Sequence, residues 1–376
     1  MGNSRLVSGG VQKKLDGDMF KKIRTITINL IAAANIVTAI IMLMIGYSGR
    51  VCLADYPLLA NIGLVFPLFV ILNLLFLVFW LIFYKRCALI PFVAFVLCYY
   101  PVRDYAPLNM SQEMPEGALK ILSYNVCMFG AETLPDMRNN PIINYIRECN
   151  ADIVCLQEAR IDAQLISETK DIYNYRDSAV KYPSGTALVV LSKYPVVGKE
   201  HINYASRGNI STAFYIKIDS DTVVVVNNHL ETSGLSLSDR AALNDIMKGK
   251  SKERINKRKS IKFIDKLAES ARIRAPQADS VAAFIDRHQG KSIIVCGDFN
   301  ENPISYAHHR ISEKLTDCFV ESGNGLGISY NRNSFYVRID HIMCSNDWKP
   351  YNFKVDNEIK VSDHYPMYGW LEKVPK

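Results

Sequence analysis

Charge disappears from three windows near the start of the chain. No Asp, Glu, Lys or Arg occurs from Thr25 to Gly49, from Tyr56 to Tyr84 or from Cys87 to Val102, windows of 25, 29 and 16 residues. About 20 apolar residues in a helix cross a hydrocarbon core of roughly 30 Å, so the first two windows predict spanning helices. The third rises only about 24 Å as a helix, has Pro91 near its start, and must borrow its flanks or thin the bilayer to span. No small-residue cleavage site follows the first run and two more runs come after it, so an anchor is expected rather than a cleaved leader. Orientation follows from Lys and Arg in the short loops. The first 24 residues carry Arg5, Lys13, Lys14, Lys21, Lys22 and Arg24, the first loop offers Arg50, and the second offers Lys85 and Arg86. Basic, sparse, basic fits three spans with a cytoplasmic N-terminus, a multi-pass protein of the cell inner membrane, and everything after Val102 outside the cytoplasm. A re-entrant third segment would reverse that last placement.

Beyond Val102 the pattern changes. Pro101, Pro107 and Pro115 with Asn109, Ser111 and Gln112 read as a linker over 103–117. From Ala118 short β-branched runs alternate with turns. Leu119–Tyr124, Ile153–Leu156, Thr186–Leu191, Ala213–Ile218, Val223–Asn227 and Ser292–Cys296 predict strands, several apolar throughout and so buried on both faces. Ile142–Cys149, Ile261–Ala271 and Asp279–His288 predict helices. The expected division is a basic N-terminus (1–24), a membrane region (25–102), the linker (103–117) and a layered α/β domain (118–376).

Composition agrees with two unlike regions. Apolar residues make up 49% and charged residues 22%, which rules out disorder, collagen-like repeats and a coiled coil. The mean hydropathy of +0.03 averages an apolar part with an ordinary globular one. Nine cysteines include no CxxC pair, and the six beyond the membrane region sit mostly in strand-like runs, where buried reduced thiols are expected.

The candidate chemistry lies in short clusters read as terminating apolar strands: Ser123-Tyr124-Asn125, Leu156-Gln157-Glu158, Asn227-Asn228-His229-Leu230, Gly297-Asp298-Phe299-Asn300, Arg338-Ile339-Asp340-His341 and Ser362-Asp363-His364. Any one is an ordinary turn or helix cap. Six together place carboxylates, amides and imidazoles where open sheets build their sites. A hard dication takes oxygen ligands and keeps several waters, so Glu158, with Asn125 and Asp363 beside it, is the expected metal set. Asp340 would orient His364 and keep it electropositive.

In order and spelling the clusters resemble the endonuclease/exonuclease/phosphatase superfamily, here as a membrane-anchored, bacterial-type member. The matching residues are Asn125 in LSYNV, Glu158 in LQE, His229 in NNHL, Asp298 and Asn300 in GDFN, Asp340 in RID, and Asp363 and His364 in SDH. The likeness covers roughly Ala118 to Leu371 and none of the membrane region. It implies a four-layer α/β sandwich, two packed mixed sheets flanked by helices, here preceded by an all-α transmembrane region. It also implies hydrolysis of a phosphoester by direct water attack with Mg²⁺ or Mn²⁺. His364 or Asp298 would serve as base, with Asn300 fixing the water or a phosphate oxygen and His229 binding the phosphoryl group or protonating the leaving group. Both choices of base stay open at this point.

Departures narrow the substrate. Cys127 stands two residues after Asn125, where AP endonucleases carry Asp, and RIDHIM lacks the inositol 5-phosphatase spelling. Arg160 sits two places after Glu158, where deoxyribonuclease-type members also carry a basic residue. An insertion, Ser233–Pro276, holds eight basic residues between Lys248 and Lys262 against the single acid Glu253. That field suits anionic lipid headgroups or a nucleic-acid backbone, and no aromatic interleaves it before Phe263, so stacking platforms for single strands are missing. The expected partners are therefore the lipid bilayer and a phosphoester, either a lipid headgroup or, as the alternative, DNA or RNA cut by a tethered extracytoplasmic nuclease.

Overall fold

A computed structural model of the full chain describes residues 4–52, 55–56, 59–130, 139–181, 187–234, 253–332 and 335–374, with 4–17, 253–260 and Phe335 as backbone only. The chain forms two compact units, one from 1–47 with 65–102 and the other from 48–64 with 103–376.

The first unit is helical. Ser4–Gly46 and Phe66–Phe83 are continuous helices, and the apolar stretches 18–50 and 62–83 are each long enough to cross a membrane. Polar side chains join them: Asn35 Nδ2 donates to Asn73 Oδ1 at 3.1 Å, and Trp80 Nε1 donates to Asn35 Oδ1 at 3.0 Å. In hydrocarbon such contacts tie helices together without a hydrophobic driving force. The third apolar window is not one straight helix. Lys85–Leu97 and Tyr99–Tyr105 meet at 65°. Pro101 has no N–H to offer the carbonyl of Leu97, four residues earlier, and the ring disfavours a straight path. The Tyr47 hydroxyl donates to that carbonyl at 2.5 Å, so the bend leaves no orphan acceptor.

The second unit is a sandwich of two six-stranded mixed sheets. We number its strands β1 (Leu119–Asn125), β2 (Ile153–Ala159), β3 (Tyr175–Val180), β4 (Ala187–Ser192), β5 (Val196–Ile202), β6 (Ser211–Ile218), β7 (Asp221–His229), β8 (Ser292–Asp298), β9 (Thr316–Asp317), β10 (Tyr330–Arg332), β11 (Phe335–Val337), β12 (Asp340–Cys344), β13 (Trp348–Val355) and β14 (Met367–Lys373). One sheet runs β13-β14-β1-β2-β4-β3 and the other β5-β6-β7-β8-β12-β9, while β10 and β11 form a separate hairpin. The β1–β2 and β7–β8 pairs are parallel; the remaining neighbours are antiparallel.

The uninterrupted apolar runs now have a cause. Alternate residues of each central strand serve two different cores. Ile121, Ile153, Cys155, Val225, Ile294 and Cys296 face the core between the sheets. Their sequence neighbours Leu122, Val154 and Leu156 face the helix Pro141–Cys149, and Val224, Val226, Ile293 and Val295 face the helix Glu253–Arg287. All nine cysteines are free thiols.

Two expectations need correction. Ile261–Ala271 and Asp279–His288 are parts of one helix, Glu253–Arg287, which passes through Pro276. One backbone hydrogen bond is forgone there, and packing on both sides outweighs it: Ala268, Ala271 and Ala275 are buried before or beside the proline, and Ala278, Val281, Phe284 and Ile285 after it. The clusters also do not all terminate strands. Asp340 begins β12, which runs antiparallel to β8, and Asp363-His364 lies in the loop between β13 and β14.

One glycine cannot be replaced. Gly297 has φ +126°, and a Cβ there would lie 2.0 Å from the Asn228 carbonyl oxygen on the neighbouring strand. Gly297→Ala is expected to cost about 3 kcal/mol or more, a fall of roughly 6–12 °C in apparent Tm. A thermal melt of the detergent-purified protein checks this, and an unchanged Tm would refute the close approach.

Candidate functional site

Sheet register gathers the polar clusters. In the second sheet His229 and Asp340 are both paired across from Asp298, one on each side of β8. From the first sheet, Asn125 at the end of β1 reaches over, and its Nδ2 donates to Asp298 Oδ2 at 3.0 Å and to Glu158 Oε1 at 3.3 Å. The Asn125 Oδ1 is taken by the backbone N–H of Cys127 at 3.1 Å, which fixes the amide with its nitrogen toward the carboxylates. Ser362 Oγ donates to the Asn125 carbonyl at 2.7 Å and anchors the loop that carries Asp363 and His364.

Glu158 is displaced from the regular ladder. The pairing of β2 with β4 shifts between Leu156 and Ala159, and Glu158 has φ +49°. Such a bulge re-aims a side chain. Here it leaves the Glu158 carboxylate 31% exposed, against 2% for Asp298. His229 Nε2 stands 3.6 Å from Glu158 Oε1 and 3.7 Å from Asp298 Oδ2. It is buried without a hydrogen-bond partner among the described residues, as is Asp340 Oδ1.

His364 Nδ1 lies 2.8 Å from Asp340 Oδ2, and its Nε2 lies 3.6 Å from Asp298 Oδ2. Burial works against a charged imidazole, but the carboxylates of Asp340 and Asp298 outweigh it and raise His364 to about 10. The ring is therefore an imidazolium at neutral pH. Burial likewise pushes Asp298 up; the two nearby imidazoles pull it back and Asp340 adds to the rise. Asn300 has φ +53°; its backbone N–H donates to Asp298 Oδ1 at 2.8 Å and its Nδ2 to the Leu230 carbonyl at 3.1 Å.

These groups open on one pocket of about 110 Å³, which Glu158, His229, Asp298, Asn300, Asp363 and His364 all line. Asn125 and Asp340 stand behind it. Residues 122–364 match the Endonuclease/Exonuclease/phosphatase family. The chain belongs to that family.

A second match, to a domain of unknown function (DUF8431), covers residues 28–105. Among functionally curated proteins none matches. Solved structures with a similar fold include an endonuclease/exonuclease/phosphatase family protein from Bacteroides thetaiotaomicron, 16% identical over 69% of this chain and 98% of its own, with a TM-score of 0.48. Truncated Caenorhabditis elegans TDP2 is 16% identical over 69% and 99%, at 0.48. The mannosyl-6-phosphatase of B. thetaiotaomicron is 16% identical over 68% and 99%, at 0.44.

Enzymes of the family act on phosphoester bonds and generally depend on a divalent metal. The donor chemistry here fits such an ion. Glu158 offers a partly exposed carboxylate whose only ion-pair neighbour among the described residues is His229, and Asp363 lines the same pocket. Asp298, Asp340 and His364 also cluster closely enough to hold an ion. With its oxygen bonded to Cys127, Asn125 holds Glu158 in place through its nitrogen.

The structure brings further residues to the site beyond those matched to the family. Gln157 Nε2 donates to Asn227 Oδ1 at 2.7 Å, a polar clamp between the sheets directly behind the site. Arg274 and Glu301 form a buried ion pair at 2.8 Å, and both line the pocket. Asn61 and Leu64, from the loop between the first two apolar helices, line it too. GDFNEN carried a trace of Glu301, but nothing local to Arg274, Asn61 or Leu64 marks them. Arg160 is exposed and is not among the residues lining the pocket. Lys248, Lys250 and Lys252 lie outside the described residues, and of the rest of the basic run only the Lys262 side chain is described, as exposed.

The raised His364 pKa sets a pH dependence. Its unfolded value of 6.5 rises to about 10 on folding, so the stabilisation is fully present below about pH 6.5 and lost as pH rises through about 10. In EDTA, the Tm advantage of wild type over His364→Gln should be largest near pH 6 and shrink toward about pH 10.5. A constant difference across that range would exclude the imidazolium.

Proposed function

We propose that the protein is a membrane-anchored, divalent-metal-dependent phosphohydrolase that cleaves a phosphoester of a lipid headgroup or a related amphiphile. The observation that carries the reading is the convergence of Glu158, His229, Asp298, Asp363 and the Asp340–His364 pair on one pocket. Bound at Glu158 and Asp363, Mg²⁺ or Mn²⁺ would neutralise a phosphate oxygen and the charge building on the leaving oxygen.

The chain's own residues supply the rest. His364, held as an imidazolium by Asp340, pairs with phosphoryl oxygen. That leaves Asp298 as base: its burial raises its proton affinity toward the working range, and the Asn300 N–H fixes one of its oxygens. His229, with its unpartnered Nε2, binds the phosphoryl group or gives the leaving oxygen its proton. Water attacks directly, and no covalent intermediate is needed.

Support for an extracytoplasmic catalytic domain comes from the chain path. The loop 48–64 follows the first apolar helix and precedes the second, yet it belongs to the same compact unit as 103–376. Loop and catalytic domain then share one side, and the chain between them crosses an even number of times. On this reading the bent pair 85–105 is a third crossing, in agreement with Lys85-Arg86 facing the cytoplasm. A C-terminal alkaline phosphatase fusion is expected to be active and a C-terminal green fluorescent protein fusion dark; the opposite pair of results would overturn this topology.

Glu158→Gln and His364→Ala are each expected to lower turnover about 10²–10⁴-fold on bis(p-nitrophenyl) phosphate with Mg²⁺ or Mn²⁺, and EDTA should abolish it. Near-normal turnover in either variant would sink the assignment. Run beside phospholipid vesicles, supercoiled plasmid and single-stranded RNA separate the lipid reading from a tethered nuclease.

A further inference from the structure

The loop 48–64 is not a simple connection. Two glycines let its backbone lie directly on the catalytic domain. A Cβ at Gly49 would be 2.4 Å from the Ile304 carbonyl oxygen, and one at Gly63 would be 2.8 Å from Asn302 Oδ1. Asn302 is buried and its Oδ1 accepts from the Ile304 N–H, so it has little freedom to retreat. Arg272 of the long helix pairs with Asp55 at 3.5 Å. Leu64 packs with Tyr330 and Val337 of the β10–β11 hairpin and with Ile339 just before β12.

This docking delivers two side chains to the catalytic pocket. Asn61 lines it, and its Nδ2 is buried with no hydrogen-bond partner among the described residues. A buried donor left unmatched is costly unless a ligand completes it. Leu64 lines the same pocket, as do Leu267, Val337 and Ile339. The lining thus combines polar groups suited to phosphoryl chemistry with a set of apolar side chains.

Resting on the phosphohydrolase reading above, we propose that the inter-helix loop is part of the substrate site: Asn61 donates to a phosphoryl oxygen and Leu64 holds the apolar portion of an amphiphilic phosphoester. The substrate class is a phosphate joined to a lipid-like group, not a polyanionic strand. A nucleic-acid strand flanks each phosphate with sugars and further charged phosphates and offers no lipid-like group for Leu64, Leu267, Val337 and Ile339.

The test uses the full chain in nonionic detergent. Binding of dodecyl phosphate and of methyl phosphate is measured by calorimetry, alongside hydrolysis of a long-chain and a short-chain p-nitrophenyl phosphodiester. Leu64→Ser is expected to lower the preference for the long-chain member of each pair about tenfold or more. Asn61→Ala is expected to weaken binding of methyl phosphate about threefold to tenfold, and Asn61→Asp more strongly through charge repulsion. If Leu64→Ser misfolds, Leu267→Ser probes the same apolar set from the catalytic domain. Unchanged long-chain preference in the folded leucine variant, or unchanged methyl phosphate binding in both Asn61 variants, would overturn the proposal. Glu158→Gln run in parallel separates the two levels. If it remains active, the phosphohydrolase assignment fails; if it is inactive while the loop variants match wild type, only the role of the loop fails.

Discussion

Asp298 closes β8 with its carboxylate almost wholly buried, and it is the group on which both halves of the sandwich converge. Its own sheet supplies His229 and Asp340 on the flanking strands, and the opposite sheet supplies the Asn125 amide. A buried carboxylate is expensive unless hydrogen-bonded and charge-matched. Here Asn125 Nδ2 and the Asn300 N–H satisfy it, and the His364 and His229 rings stand close. The two sheets can meet at this end only in the relation that satisfies Asp298. Gln157 and Asn227 repeat the device one layer further in. The polar end of the core thereby sets the alignment of the sheets, while the apolar remainder supplies the cohesion.

The same constraint explains where backbone strain collects. Glu158 and Asn300 both have positive φ, as do Cys127 and Met128 just beyond Asn125. Non-glycine residues in that region cost of order 1–3 kcal/mol each. Cys127 and Asn300 each sit two residues beyond a strand whose last side chain, Asn125 or Asp298, is already committed to the site; Met128 follows Cys127, and Glu158 sits in the bulge near the end of β2. The regular pleat would turn the next side chain away, and the left-handed residue turns the chain back. Gly297 serves the complementary purpose, allowing β8 to approach Asn228 more closely than any side chain permits.

Much of this was legible in the sequence, for identifiable reasons. The six apolar runs read as strands correspond to β1, β2, β4, β6, β7 and β8, the central strands whose two faces are both buried. Of the strands that escaped notice, β3 and β5 lie at sheet edges, where exposed positions dilute the signal. The residues of the site were legible because each stands beside its motif partners. Their arrangement was not: Asp340 reaches Asp298 by antiparallel register, and sequence order carries no register. The helix Glu253–Arg287 was expected as two pieces because local propensity says nothing of the buried faces of Ala275, Ala278 and Val281 that carry it through Pro276. Asn61, Leu64 and Arg274 were invisible for a simpler reason. Each acts on residues more than two dozen positions distant, from a segment whose composition reads as something else.

The loop 48–64 falls on different sides of two ways of dividing the chain. Hydropathy divides the chain where charge vanishes, but compactness divides it where side chains meet. By that criterion residues ahead of the second apolar helix belong with the catalytic sandwich. So do residues 103–117, where Asn109 Nδ2 donates to the Gly323 carbonyl at 2.6 Å and Asn352 Nδ2 donates to the Gln112 carbonyl at 3.1 Å. A flexible tether would set only the effective concentration of enzyme at the surface, falling with linker length. A loop docked through Gly49, Gly63 and Leu64 instead contributes side chains to the pocket itself. On the proposed reading, a phosphoester site that takes Leu64 into its lining is arranged for a substrate with an apolar portion.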